Sequence, residues 1–255
     1  MTVSLGQSEN IDSSPVRERA SKGRTLVVLC TYNEMTNLPR AIETLQSVAP
    51  ECDVLVVDDN SPDGTGKWVA TEAGISDRVH VIGRAKKLGL GSALRDAIRW
   101  CLERDYEFLV NLDADLSHDP AKVPQFIETA RAENVDIVIG SRYVEGGGTE
   151  GLSLFRSLLS RGLNRYAASM LGLPVRDCSG SYRCYRVAKL RELPLEQLTC
   201  NGYGFLEEIL VTLYRAGATL REIPITYHVR HGGQSKLSWS DATGAISVIH
   251  KLRKR

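Results

Sequence analysis

No stretch of the 255-residue chain approaches the roughly 20 consecutive apolar residues of a spanning helix, and the first two dozen residues lack the hydrophobic run of a signal peptide. The chain is not expected to cross a bilayer by itself. Net charge is equally scarce: 32 basic side chains face 31 acidic ones, so no overall field gathers nucleic acid or holds the body on an anionic surface. Nucleic acid is therefore not an expected partner, and any phosphate chemistry must rest on local charge. No CxxC pair occurs among Cys30, Cys52, Cys101, Cys178, Cys184 and Cys200, and several lie in apolar runs as buried free thiols do. A reducing, cytoplasmic setting follows as the expectation. Cys178 and Cys184 leave a disulfide or metal pair open, but no further ligand lies near them in sequence, and packing is the simpler reading. Internal repeats and low-complexity tracts are absent as well.

The apolar share of 42% suits an ordinary buried core in one large mixed domain or two small ones. Residues 1–24 mix Ser, Glu, Asp, Arg and Gly with few large apolar side chains, and are expected to form a flexible tail. From Thr25 onward, short β-branched runs alternate with helical stripes. Leu26 to Cys30, Asp53 to Asp59, Arg78 to Gly83, Tyr106 to Asp113 and Val135 to Arg142 read as five strands, each of the first four followed by an amphipathic helix. The predicted class is α/β, with a mostly parallel sheet covered on both faces. After Gly148 the alternation lapses into a helix around Phe155 to Leu171, a strand at Ser181 to Val187, a helix at Phe205 to Gly217 and one long strand at Ala218 to Val229. The first of these helices sets Phe155, Leu158, Leu159 and Leu163 beside Arg156, Arg161 and Arg165; it docks either on its own domain or on a membrane interface. Residues 238–255 read as an amphipathic helix with a basic end, His250 to Arg255, which would favour anionic lipid or simply stay solvated.

In open α/β sheets, ligands gather beyond the carboxyl ends of the strands. The polar clusters there are Thr31 to Glu34, Asp58 to Thr65, Asp113 to Asp119 and Gly140 to Tyr143. Asp113 and Asp115 are the sharpest of these features. Two carboxylates one residue apart repel unless a cation lies between them, and their oxygens suit Mg2+ or Mn2+ holding a diphosphate. A capped turn with two solvated aspartates is the alternative. A second acidic strand end, Asp58-Asp59, favours the site over the turn.

Thr31-Tyr32-Asn33-Glu34, the Val56 to Thr65 block, Lys87 to Gly91, Asp113 to His118, Gly140 to Tyr143 and Arg230 to Leu237 together, in this order, resemble dolichyl-phosphate (polyprenyl-phosphate) mannose synthases. The resemblance covers residues 25–237 as a catalytic domain. It implies a GT-A-type, Rossmann-like sandwich and inverting transfer of mannose from GDP-mannose to a dolichyl or other polyprenyl phosphate. It also implies roles for single residues. Tyr32, Glu34, Asp58 and Asp59 would hold the nucleoside, and Ala114 would touch the donor through its backbone. Asp113 and Asp115 would bind the cation, while Arg142, Arg230 and Lys236 would gather around phosphates. Many relatives carry Gln where this chain has Ser117, so the third metal position falls to Ser117, His118 or water. Many also carry Pro at Cys30, and some continue into membrane helices, so contact with the membrane is expected to be peripheral or through a partner. A UDP-glucose-dependent transferase and an inactive nucleotide-sugar-binding module are the competing readings. The glycine-rich stretch Tyr143 to Gly151 reads as a loop that closes on substrate or as a plain connector.

Overall fold

The computed structural model describes residues 23–202, 204–229 and 247–254. Strands β1 (Thr25–Thr31) and β2 (Asp53–Asp58) are runs of Val and Leu closed at their ends by Thr or Asp, and are buried along nearly their whole length. Strands of that kind need cover on both sides. Helix α1 (Leu38–Val48) lies between them in sequence and turns Leu38, Ala41, Ile42 and Leu45 inward, with a proline in its first turn where no backbone donor is missed. Then come α2 (Thr65–Ile75), β3 (Val79–Gly83), α3 (Leu90–Leu102), β4 (Phe108–Asp113), α4 (Val123–Ala132) and β5 (Ile137–Ser141). A short 3-10 turn, Pro120–Lys122, leads into α4; the Asp119 carboxylate caps it by accepting from the Ala121 N–H at 2.9 Å.

The five predicted strands are present, and the sheet is mostly parallel with helices on both faces. The second half of the chain completes it: β6 (Gly148–Glu150), α5 (Leu154–Leu171), β7 (Arg183–Arg186), α6 (Val187–Leu190), α7 (Gly204–Arg215), β8 (Leu220–Pro224) and β9 (Thr226–His228). The seven-stranded order is β3-β2-β1-β4-β7-β5-β8. Only β7 runs against its neighbours, slotted between β4 and β5.

Two expectations change. The single strand from Ala218 to Val229 is two: β8 pairs with β5 and ends at Pro224, and the chain then leaves the main sheet so that β9 pairs with β6. The bonding to β5 outlasts Pro224: the Ile225 N–H still donates to the Ser141 carbonyl at 3.1 Å, and the Ile225 carbonyl then accepts from the Gly148 N–H at 3.0 Å, which carries the chain over to β6. The glycine-rich stretch is correspondingly not all loop, because Gly148, Thr149 and Glu150 are paired with Thr226, Tyr227 and His228.

Each sheet face carries its own apolar layer. Leu26, Val28, Leu55 and Val57 pack with α3, α7 and the helical residues 247–253; Val27, Leu29, Val54 and Val56 pack with α1 and α4. All six cysteines are free thiols, and Cys178 and Cys184 are both fully buried, as packing requires. Among the described residues no helix is long and apolar enough to cross a membrane. Helix α5 docks on its own domain through its C-terminal half alone. Its inward face is Asn164, Ala167, Ala168 and Leu171, whereas Leu154, Phe155, Leu158 and Leu159 are 85%, 75%, 68% and 47% exposed.

Candidate active site

The carboxyl ends of β1, β2, β4 and β5 open on one rim of the sheet, and the acidic strand ends meet there. At the end of β1, Tyr32 is partly exposed and the Lys87 ammonium lies 3.7 Å from the centre of its ring. Asn33 turns the chain with a left-handed φ of 61°, and its N–H donates to Ser61 Oγ at 2.9 Å. Glu34 is buried, with its N–H on Thr65 Oγ1. The loops after β1 and β2 therefore brace each other.

Asp58 ends β2 at 4% exposure, accepting hydrogen bonds from Thr31 Oγ1 at 3.1 Å, from the Ser61 hydroxyl, and from the Ser61 N–H at 3.0 Å. The next turn comes so close that a Cβ on Gly66 would lie 2.5 Å from Asp58 Oδ2. Only glycine fits there. Asp59 faces a different task. It pairs with Arg84 and accepts the N–H groups of Leu88 and Gly89 at 3.2 and 2.9 Å, so its carboxylate shapes the loop carrying Lys87. The structure thus separates two neighbours that the sequence treats alike: Asp58 lines the rim and Asp59 supports the loop beside Tyr32.

Asp113 ends β4. Its Oδ1 accepts from Ser181 Oγ at 2.6 Å, and its own N–H donates to His118 Nδ1 at 3.3 Å. His118 is buried between the rings of Tyr182 and Tyr227, and that burial holds its pKa below the ordinary value despite the nearby carboxylates. With Nδ1 accepting, the neutral ring carries its proton on Nε2. Its task is to fix the Asp113 backbone, and the helix start that follows is capped by Asp119. Leu116 takes a left-handed φ of 63°, which folds the turn back so that the Ser117 N–H donates to Asp115 Oδ1 at 2.8 Å. Ser117 Oγ is buried and makes no hydrogen bond of ordinary geometry among the described residues. Ala114 is buried between the two aspartates.

Among the described residues no third His, Cys, Asp or Glu joins Asp113 and Asp115 in a metal-binding group. Two carboxylates suit Mg2+ or Mn2+, hard cations that take few protein ligands and complete their shell with water and phosphate oxygens; the buried Ser117 hydroxyl adds nothing decisive.

Arg142 follows β5, and Asp177 grips it in a fork: Nε to Oδ2 at 2.7 Å, Nη2 to Oδ1 at 2.8 Å, and the Arg142 N–H to Oδ2 at 3.1 Å. Ser179 Oγ accepts from Nη2 at 2.9 Å. Burial alone would raise the pKa of Asp177, but the guanidinium outweighs it and the carboxyl stays below its ordinary range. Nothing in the spacing of Arg142 and Asp177 announces this pair, whose members are 35 residues apart. Ser181, 68 residues from Asp113, leaves no trace in the spacing either. Lys87, within the Lys87 to Gly91 string, is marked by its charge alone. Arg230 and Lys236, the remaining expected phosphate ligands, lie outside the described residues.

The family model described as glycosyl transferase family 2 matches residues 26–194. An undecaprenyl-phosphate mannosyltransferase of Micrococcus luteus is 43% identical over 215 residues, 84% of this chain and 88% of that protein. A polyprenol monophosphomannose synthase of Mycolicibacterium smegmatis is 37% identical over 251 residues, 98% and 94% of the two chains. Among solved structures, glucosyl-3-phosphoglycerate synthase of Mycobacterium tuberculosis, in complex with Mn2+, UDP and phosphoglyceric acid, superposes with a TM-score of 0.66 at 19% identity. That match covers 91% of this chain and 78% of the other. A mannosyltransferase of Pyrobaculum calidifontis in complex with GDP-mannose and Mn2+ gives a TM-score of 0.61 at 15% identity, covering 92% and 66%. The fold they share is the GT-A type.

Proposed function

We propose that this chain, a glycosyltransferase that belongs to glycosyl transferase family 2, moves mannose from GDP-mannose to the phosphate of a polyprenyl lipid with inversion. The observation that carries the reading is the meeting of Asp58, Asp113 and Asp115 on one rim, with Arg142 at the end of the next parallel strand. The names of the two curated relatives supply the sugar and the class of acceptor.

The roles follow from the contacts. Tyr32, Glu34 and Asp58 receive the nucleoside, and Asp59 holds the loop that closes beside it. Asp113 and Asp115 hold a divalent cation, Mg2+ or Mn2+, which when bound stabilises charge on the departing diphosphate. Ser181 keeps the Asp113 carboxylate in one rotamer for that purpose, and His118 holds the backbone beneath it. The acceptor needs no strong base, since a phosphate monoester with a second pKa of about 6 is mostly ionised at neutral pH. Arg142 orients the acceptor side as half of a charge-balanced pair. Arg230 and Lys236 then carry the unbalanced positive charge that two phosphate groups require.

Purified protein given GDP-mannose, Mg2+ and a short polyprenyl phosphate should form the mannosyl lipid, with UDP-glucose giving far less product. Equal use of both donors would refute the donor assignment, and binding without turnover would favour an inactive module.

A lipid acceptor also gives a task to the exposed face of α5. The helix has three arginines and no acidic residue, and Tyr143, next to Arg142, bonds Ser160 at 2.7 Å. Moving Leu154, Phe155, Leu158 and Leu159 from water into a bilayer surface is worth on the order of 5 kcal/mol before the costs of association. The enzyme then sits peripherally, on the reducing side that its free thiols suit. Replacing Phe155 and Leu158 together with Asp should abolish sedimentation with phosphatidylglycerol vesicles while leaving transfer to a short soluble acceptor intact. Unchanged sedimentation would remove α5 from the membrane surface.

A further inference from the structure

Below the rim, on the same sheet face as Asp113, the atoms Asn111 Oδ1, Arg183 Nε and Glu207 Oε2 are buried and make no hydrogen bond among the described residues. Asn111 and Arg183 are register partners across β4 and β7. Arg183 is fully buried, and its other nitrogens are engaged. Nη2 donates to the Cys178 carbonyl and Nη1 to the Leu206 carbonyl, both at 2.6 Å. Asn111 Nδ2 donates to the Ser181 carbonyl at 2.8 Å. The turn from Asp177 to Ser181, which grips Arg142 through Asp177 and fixes Asp113 through Ser181, is thus held from beneath by Asn111 and Arg183. Glu207 directly follows the residue to which Arg183 is tied.

We propose that Glu207 is a positioning residue that sets the grip of Arg183 on this turn. Protonated, Glu207 leaves Arg183 on the Cys178 and Leu206 carbonyls. Ionised, it draws the unbonded Nε edge of Arg183 toward itself, and the turn slackens beneath both Arg142 and Asp113. Proton uptake at one buried carboxyl on α7 thereby tightens two parts of the site at once.

Both states are accessible near neutrality. Burial pushes the pKa of Glu207 up to about 7, with Arg183 and Arg142 opposing that rise and Asp177 adding to it. The other groups around it cannot replace it as the switch. Burial pushes the thiols of Cys178 and Cys200 up to about 12 and about 11. Glu208 is committed to the N–H groups of Thr199 and Cys200, and Arg95, from α3, lies over the Phe205 ring and donates to the carbonyls of Leu198 and Cys200. Lys251, from the C-terminal helix, is bonded to Thr199.

The inference rests on the transfer reading only for its rate measurement. In the wild type with Mg2+, kcat should fall about fivefold as pH rises through 7, with little change in donor KM. Glu207→Gln, a permanent stand-in for the neutral acid, should keep the low-pH rate throughout. Superimposable alkaline limbs in the two proteins would overturn the proposal. A carboxyl 13C titration of the full wild-type chain is independent of what is transferred and of how the variant folds. It should give Glu207 a midpoint near 7, and one near the ordinary 4.5 would equally overturn the proposal.

Discussion

Transfer by Asp115→Ala should drop by on the order of 10²–10³-fold or more, the scale of losing one preorganised stabiliser of transition-state charge. The fold should survive the change, because Asp115 is half-buried in the turn after β4, outside the apolar core, where its carboxylate braces the turn by accepting the Ser117 N–H. Asp113→Ala is predicted to be as inactive and less stable, since Ser181 loses its acceptor. Circular dichroism against rate measurements separates the two effects. Turnover near wild type in Asp115→Ala with Mg2+ present would remove this residue from the mechanism.

The largest expected stability change lies elsewhere. Asp177→Ala removes the carboxylate of the fork that holds Arg142, whose side chain is 16% exposed, and leaves a mostly buried guanidinium facing the neutral Ser179 Oγ in place of its counter-charge. A loss of about 3–5 kcal/mol follows from the behaviour of buried pairs stripped of one partner. Urea unfolding measures it, and turnover should fall in parallel because Gly180 also loses its anchor on Asp177. The pH dependence has a definite sign. With its folded pKa held below the ordinary 3.8, Asp177 contributes its full stabilisation above that value and loses it as pH falls through the folded pKa. Asp177→Asn should therefore lack part of the acid limb in a plot of stability against pH. A variant within 1 kcal/mol (about fivefold in the folding constant) of wild type would show the pair to be dispensable.

The sequence discloses the parts of this architecture that repeat locally. Each parallel strand is an apolar run ended abruptly by polar residues, so Asp58, Asp113 and Arg142 could be placed at strand ends from the period alone. Pairing across long separations leaves no such trace. The insertion of β7 between β4 and β5 joins residues more than forty positions apart, and the contacts of Asp113 with Ser181 and of Arg142 with Asp177 depend on it. The stripe on α5 was legible as a stripe. Its direction was not, because periodicity gives a helix two faces without saying which one meets water. At Asp58-Asp59 the limit is finer still: adjacent, chemically identical side chains point to opposite sides of a strand end, and only the distant Arg84 and Gly89 reveal which is structural.

The position of β7 also bears on how a nascent molecule assembles. While the chain is being synthesised, β4 and β5 emerge well before residues 183–186, yet the finished sheet never joins them to each other. Until the late strand arrives, each presents an open edge to its surroundings, the condition under which unfinished sheets recruit neighbours and aggregate. Insertion of β7 closes both edges and delivers Ser181 to Asp113 in the same event. The step that makes a young polypeptide safe from its neighbours is thus the step that makes its acidic centre whole.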